Sequence, residues 1–178
     1  MIRKVARRIL EGLDFKITEA EFTCSDGFAV THPDIGDNVI LANAVQLAGH
    51  VEVGDYAIIG GLSGAAQFIR IGAHTYIAGD AVINKDVPPF IRAGRLPLSY
   101  VGINSVGLQR RGFSAETINE ILEIYRNIYT RGLNTSQALE FVESQLPASK
   151  EKDSIVNFIK ASKRGIIKSS TKGENDED

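Results

Sequence analysis

Hydrophobic positions in the first half of the chain recur every six residues. From residue 35 the sequence divides into nine hexads: IGDNVI, LANAVQ, LAGHVE, VGDYAI, IGGLSG, AAQFIR, IGAHTY, IAGDAV and INKDVP. The first position is a branched aliphatic in eight of the nine hexads, the second is Gly or Ala in all but the last, and the fifth is mostly small or β-branched. An α-helix cannot keep this period, because six residues make about 1.67 turns. An antiparallel sheet would alternate with period two and would need turn signals between its strands.

A parallel β-helix accounts for all three columns. Three hexads form one triangular coil, so residues 35–88 supply three coils whose aliphatic residues stack inside the prism. The small second residue is expected where the backbone turns a corner, with little room for a Cβ atom and in conformations that glycine reaches easily. Ile17, Thr23 and Ala29 keep the spacing, which predicts one degenerate coil over 17–34 that protects the open edge of the stack.

The pattern changes after Val87-Pro88-Pro89, where proline is expected to end the ladder. Helical periodicity then predicts a helix from an N-cap at Ser114 to Gly132, and further helices over about 135–145 and about 150–163. The predicted organisation is an atypical segment with the degenerate coil (1–34), β-helix coils (35–89), an irregular connector (90–113), a helical domain (114–167) and a disordered acidic tail (168–178).

Composition excludes several classes of protein. The net charge of −2 gives no electrostatic case for binding nucleic acid or a membrane, and no apolar run approaches the roughly 18 residues of a membrane span. The one cysteine, Cys24, cannot form a disulfide within the chain and is interpreted as a small hydrophobe rather than a nucleophile. The N-terminal residues combine an apolar helical face with basic residues. Glu11 and Asp14 favour a short solvated helix over a transit peptide.

Several longer strings are more specific than the repeat. They are ILANAVQLAGHVEVGDYAIIGG, QFIRIGAH, DVPPF, GIN, VGLQRRGFS and SKRGI. From about residue 32 to residue 167 the chain closely resembles the C-terminal half of the bacterial acyl carrier protein–UDP-N-acetylglucosamine O-acyltransferase family. The resemblance implies a left-handed β-helix, a cytoplasmic homotrimer with active sites between subunits, and no metal or cofactor. It also implies transfer of a 3-hydroxyacyl chain from acyl carrier protein to the 3-hydroxyl of UDP-N-acetylglucosamine, the first step of lipid A biosynthesis.

That chemistry needs a base for the hydroxyl proton and a donor for the developing oxyanion. By resemblance, the backbone N–H of Gly49 is the oxyanion donor and His50 positions substrate. The base lies one coil earlier, and His32 precedes His50 by one full coil of three hexads. A gapless alignment instead places Thr31 at the base position, and a one-residue slip places His32 there, so both assignments remain open.

The resemblance implies further substrate-binding residues. Arg110 and Arg111 correspond to basic residues that contact phosphates or acyl carrier protein, with surface arginines as the alternative interpretation. Gln67 and Asn104 are candidates of the same kind. Gly79 occupies the position that limits acyl-chain length in the family, and glycine there is expected to admit a long chain. His74 is interpreted as structural.

The sequence also departs from the family pattern. The companion histidine of the base motif is absent, Pro33 replaces the neighbouring carboxylate, Ala66 replaces a histidine, and about six N-terminal coils typical of the family have no counterpart. These departures leave a short-form acyltransferase, a non-catalytic trimeric scaffold or binding protein, and a truncated or frameshifted gene product as alternatives. Another hexapeptide-repeat acyltransferase is disfavoured, because the C-terminal strings match this family specifically.

Overall fold

The computed structural model of the protein describes residues 33–169. The expectations for the coil before Pro33, for Cys24 and for the last nine residues of the acidic tail fall outside this range, as do Thr31 and His32.

Within the described range the first half of the chain is a left-handed parallel β-helix, which confirms the predicted fold. Nine two-residue strands build it: β1 (Asp34–Ile35), β2 (Ile40–Leu41), β3 (Gln46–Leu47), β4 (Glu52–Val53), β5 (Ile58–Ile59), β6 (Gly64–Ala65), β7 (Arg70–Ile71), β8 (Tyr76–Ile77) and β9 (Val82–Ile83). They stack as three sheets, β1-β4-β7, β2-β5-β8 and β3-β6-β9. Each strand residue pairs in parallel with the residue three hexads later, as Ile35 does with Val53.

The first hexad position supplies the core of the prism. Val53, Ile59, Ile71, Ile77 and Ile83 are buried and lie in one hydrophobic cluster. Because side chains alternate across a strand, the residue before each of these points outward. The aliphatic column read from the sequence is therefore the interior of the solenoid.

The corners differ from the expectation in one respect. Left-handed backbone conformation occurs at the fourth hexad position and not at the second. The residues with positive φ there are Asn38, Ala44, His50, Tyr56, Leu62, Phe68, His74 and Asp80. The second position is small for a different reason, which is that the neighbouring coil passes close to it. A Cβ atom on Gly72 would lie closer than 3.0 Å to the backbone nitrogen of Pro89.

Gly72→Ala is therefore expected to lower the free energy of unfolding by about 1–3 kcal/mol, because backbone atoms of the next coil must shift to admit the methyl group. Gly64→Ala is the matched control, since a Cβ atom there meets nothing within 4 Å and the backbone needs no positive φ. Urea unfolding of both variants measures the difference. Equal destabilisation of the two would contradict the close-approach explanation.

The diproline does not end the ladder, so the boundary at residue 89 and the irregular connector (90–113) are corrected. Val87 pairs with Ile71 only four residues after Ile83, which shortens this corner by two residues. Pro88 and Pro89 then occupy corner positions, where the Pro88 carbonyl accepts a 2.9 Å hydrogen bond from Thr75 Oγ1. Strand β10 (Ile91–Gly94) continues the stack in parallel with β8, and β11 (Ser99–Ile103) closes it in antiparallel orientation. The prolines are tolerated because no further coil needs a hydrogen bond from the backbone nitrogen at these positions.

Four helices follow: α1 (Ser105–Arg110), α2 (Ala115–Thr130), α3 (Thr135–Gln145) and α4 (Lys150–Lys160). Ser114 caps α2 as expected, accepting from Thr117 N. Helix α4 ends three residues before the expected position. The chain after it is drawn to the solenoid, where Ser162 Oγ donates to Asp86 Oδ2 at 2.7 Å. No helix in residues 33–169 has both the length and the apolar character needed to cross a membrane.

Three tyrosines fasten the helices to the solenoid. Tyr125 Oη donates to the Pro89 carbonyl at 2.6 Å, and Tyr129 Oη donates to the Ile167 carbonyl at 3.0 Å. Tyr100 stacks on Tyr129 with ring centroids 4.3 Å apart. The segment after α4 pairs at Asp86–Ile166 and Tyr100–Ser169, so the first two residues of the expected tail (168–178) are bound to the fold.

Candidate active site

The residues predicted for the site lie on different corners of the prism. We call residues 48–51 and 66–69 corner 1, residues 54–57 and 72–75 corner 2, and residues 60–63 and 78–81 corner 3. Corner 1 carries Gly49, His50 and Gln67, corner 2 is contacted by Asn104 and Arg111, and corner 3 carries Gly79. One chain therefore brings together only part of the predicted set.

Corner 1 presents exposed polar groups beside a stacked ring pair. The His50 imidazole lies on the Phe68 ring, with centroids 4.8 Å apart and planes 10° apart. The Gly49 carbonyl accepts from Phe68 N at 3.1 Å. Gln67 is exposed next to Phe68. Within residues 33–169 neither the Gly49 amide nor the His50 ring nitrogens make a hydrogen bond.

Asn104 is used to hold helix α1 on corner 2. Its Nδ2 donates to the His74 carbonyl at 2.9 Å, and its Oδ1 accepts from Gly107 N at 3.2 Å as the N-cap of the helix. The residue is buried, and both ends of its amide are engaged inside the fold. This geometry explains the GIN string as a helix-capping and docking element, and contact between Asn104 and substrate stays a prediction.

The two arginines after the solenoid have different surroundings. Arg110 is exposed at the last residue of α1. Arg111 folds back on corner 2, where its Nη2 donates to the Tyr56 carbonyl at 3.1 Å and its guanidinium carbon lies 5.3 Å from the Tyr56 ring centroid. Leu108 precedes both arginines, and its buried side chain anchors helix α1 on the solenoid. The sequence did not distinguish these arginines.

His74 lies inside an aromatic row on corner 2. It stacks on Tyr56 at 5.0 Å and on Phe90 at 5.6 Å, and Phe113 meets its edge at 5.1 Å. Burial, and then the Arg111 charge, lower the pKa of the imidazole, against a smaller opposing effect of Asp55. Tyr56 was not singled out by the sequence analysis. Its signal was the recurrence of rings at the fourth hexad position, one coil apart.

Because the pKa of His74 is lowered in the folded protein, the unfolded chain binds more protons between that pKa and the ordinary value of about 6.5. Stability is therefore fully present above about pH 6.5 and falls as the pH drops below it. We expect the urea midpoint of wild type to fall more than that of His74→Phe between about pH 7.5 and about pH 5.5. His50→Phe, at an exposed histidine, is the control and should keep the wild-type slope. If the urea midpoint of His74→Phe fell with pH as much as that of wild type, His74 would not be the source of this pH dependence.

Corner 3 combines the chain-length position with apolar surface. Gly79 is exposed, and a Cβ atom there would meet the Gly61 carbonyl oxygen at 3.1 Å. Leu62, on the same corner, is 72% exposed and has a φ of 61°, and Val82 nearby is 66% exposed. Exposed aliphatic side chains in this arrangement are typical of a surface that another chain or an apolar ligand covers.

No predicted residue lines the cavity of about 320 Å³ on the outer face of the β1-β4-β7 sheet. Arg70 crosses it, paired with Glu52 at 3.1 Å and stacked 4.5 Å from the Phe158 ring centroid. Its guanidinium is engaged by these partners, which assigns the cavity to the packing of α4 on the sheet. Among residues 33–169, no three or more His, Cys, Asp or Glu side chains are grouped to hold a metal ion.

Comparison with known proteins gives one family. A family profile described as Udp N-acetylglucosamine O-acyltransferase, Domain 2, matches residues 86–167. An acyl-(acyl-carrier-protein)–UDP-N-acetylglucosamine O-acyltransferase of Burkholderia orbicola is 45% identical over 138 residues, covering 75% of this chain and 53% of the relative.

Solved structures agree with this result. LpxA, a UDP-N-acetylglucosamine acyltransferase from Bacteroides fragilis, superposes with a TM-score of 0.75 at 48% identity, over 76% of this chain and 53% of that one. The Francisella novicida UDP-N-acetylglucosamine acyltransferase gives a TM-score of 0.75 at 38% identity, over 78% of this chain and 51% of that one. The chain thus spans about half the length of the relatives it matches, in their C-terminal portion. It belongs to the UDP-N-acetylglucosamine O-acyltransferase family.

Proposed function

We propose that the chain carries the acyl-transfer function of its family, moving a 3-hydroxyacyl group from acyl carrier protein to the 3-hydroxyl of UDP-N-acetylglucosamine in the cytoplasm. The observation that carries the proposal is corner 1. There the Gly49 amide and the His50 ring nitrogens have no hydrogen-bond partner among residues 33–169 and lie on the same corner as exposed Gln67. These are the groups that the chemistry requires next to a reacting carbonyl.

The reaction proceeds without a cofactor in this proposal. A base takes the proton of the sugar 3-hydroxyl as its oxygen attacks the thioester carbonyl, and the Gly49 N–H donates to the oxyanion that forms. The tetrahedral intermediate then collapses: the C–S bond breaks, the ester remains on the sugar, and the proton passes to the departing thiolate of acyl carrier protein. His32 is the proposed base, and Thr31 is the residue that a gapless alignment places at the same position.

A homotrimer accompanies this function. Gly49 and His50 lie on corner 1, whereas Arg111 contacts corner 2 and Gly79 lies on corner 3. One substrate cannot touch three corners of one prism, but it can touch corner 1 of one subunit and the facing corners of a neighbour. The exposed Leu62 and Val82 supply apolar area for such contacts.

A trimeric binding protein without turnover is the second candidate. It is favoured by the sequence positions at which the family pattern fails, where Pro33 and Ala66 replace residues of the catalytic motif and its partner. Such a protein would retain affinity for UDP-N-acetylglucosamine through corner 2 while transferring no acyl group.

An acyl-transfer assay separates the two candidates. Purified full chain is incubated with UDP-N-acetylglucosamine and 3-hydroxyacyl carrier protein, and the acylated nucleotide sugar is quantified by mass spectrometry. Product formation above a no-protein blank is the expected result. Binding of the nucleotide sugar by calorimetry with no product would favour the binding protein, and neither binding nor product from a folded trimer would reject both candidates.

A further inference from the structure

Arg111 is held in place by Tyr56. The Tyr56 carbonyl accepts from Arg111 Nη2 at 3.1 Å, and the Tyr56 ring lies beneath the guanidinium, 5.3 Å from its central carbon. The arginine therefore has both a hydrogen bond and a stacking contact from one residue 55 positions away. A guanidinium held at two points keeps the orientation of its remaining donors.

The Tyr56 ring is itself fixed from behind. His74 stacks on it at 5.0 Å with planes 10° apart, and Phe90 continues the row on the next turn. Phe113, two residues after Arg111, meets the edges of His74 and Phe90. Arg111 and Phe113 thus both contact corner 2. The Tyr56 ring is packed between the Arg111 guanidinium and the His74 ring, which restricts its motion.

The charge of Arg111 is uncompensated. No carboxylate in residues 33–169 lies within ion-pair distance of it. Its Nη1 is buried and makes no hydrogen bond among those residues. If Arg111 served only in packing, its buried donors would be expected to have hydrogen-bond partners. Nη1 has none among the described residues. A guanidinium that no carboxylate neutralises is suited to bind an anion.

We propose that Tyr56 is a positioning residue for the diphosphate of the nucleotide sugar. Its carbonyl and ring set the direction of the Arg111 guanidinium before the substrate arrives, which lowers the entropy lost on binding. Arg110 is exposed and lacks this support, so the inference concerns the Arg111 guanidinium alone. The inference rests on the proposed function, because it takes the substrate from there.

The kinetic test compares two substitutions at Tyr56. Tyr56→Leu removes the ring, and we expect the KM for UDP-N-acetylglucosamine to rise about tenfold while kcat and the KM for the acyl carrier protein substrate stay within about twofold. Both variants keep the backbone carbonyl that accepts from Arg111 Nη2, whereas only Tyr56→Phe keeps the ring and should therefore behave as wild type. Phe141→Leu is the control, since it removes the ring 4.2 Å from the Arg131 guanidinium, a similar pair in the helical domain. A merely structural role for Tyr56 would instead lower Tm and change all kinetic constants together.

A second readout needs no turnover. Side-chain ¹⁵N NMR of the full chain without substrate reports the rotation of the Arg111 guanidinium, which we expect to be slow in wild type and Tyr56→Phe and fast in Tyr56→Leu. An ordered Arg111 in Tyr56→Leu overturns the inference, as does a disordered Arg111 with an unchanged Kd for UDP. If wild type shows the ordered guanidinium but binds neither UDP nor UDP-N-acetylglucosamine, the proposed function fails and the positioning role fails with it.

Discussion

Replacing His32 with Ala is expected to lower kcat of acyl transfer by about 10²–10⁴-fold, the usual contribution of a general base. The reason is the row that the repeat creates. In the described coils the fourth hexad position forms a line of rings, in which His50 and Phe68 stack 4.8 Å apart. His32 precedes His50 by one coil, the same interval that separates His50 from Phe68. From this period we expect the His32 imidazole to lie in line with His50.

Thr31 tests the other register. It precedes Gly49 by 18 residues, the interval that separates Gly49 from Gln67, so in this register Thr31 takes the base position. A threonine hydroxyl cannot take up a proton near neutral pH, so Thr31→Ala should keep most of the wild-type rate. Steady-state rates with saturating nucleotide sugar compare the two variants, and His50→Ala should mainly raise KM. A full rate in His32→Ala together with a lost rate in Thr31→Ala would reverse the assignment.

Leu62→Asp is expected to convert the proposed trimer to monomers and to abolish acyl transfer. Leu62 is 72% exposed and adopts a φ of 61°, a conformation that Asp accepts more readily than Leu. The substitution should therefore leave the fold of the subunit intact, while a buried carboxylate at the contact between subunits costs several kcal/mol. Sedimentation equilibrium, circular dichroism and the transfer assay measure assembly, fold and activity in the same sample.

Leu133→Asp is the matched control for that experiment. Leu133 is also an exposed leucine, 39% accessible, but it lies between α2 and α3 and away from the corners of the solenoid. This variant should remain trimeric and active. A monomeric wild type, or a Leu62→Asp variant that stays trimeric, would contradict the proposal that corner 3 lies at the contact between subunits.

Short-range information determined what could be read from the sequence. The aliphatic column at Ile59 and Ile77 and the cap at Ser114 depend on spacing and on local hydrogen bonds, and the structure contains them as predicted. The origin of the small second position was misjudged, because the proximity of Pro89 to Gly72 is a contact between successive coils. Spacing reports that a side chain is small but not which neighbour requires it.

The candidate site was less predictable for the same reason. The sequence did not reveal that Asn104 contacts the His74 carbonyl and the Gly107 amide, because a carbonyl 30 residues away leaves no local signature. Contact between Asn104 and substrate stays a prediction. The pairing of Arg111 with Tyr56 spans 55 residues. The two-residue shortening before Val87 hid strand β10, since it broke the period by which β1 to β9 were found.

The closure at the C-terminal end of the stack also bears on self-association. A fibre grows only when both ends of a unit can template the next one. Here β11 runs antiparallel to β10, so the sheet that contains β2, β5, β8 and β10 does not continue into another parallel coil. Parallel bridges to Ile166 and Ser169 occupy the backbone beside Asp86 and Tyr100. A coil of a second molecule therefore finds these edges already paired within the chain, which disfavours head-to-tail polymerisation through this end.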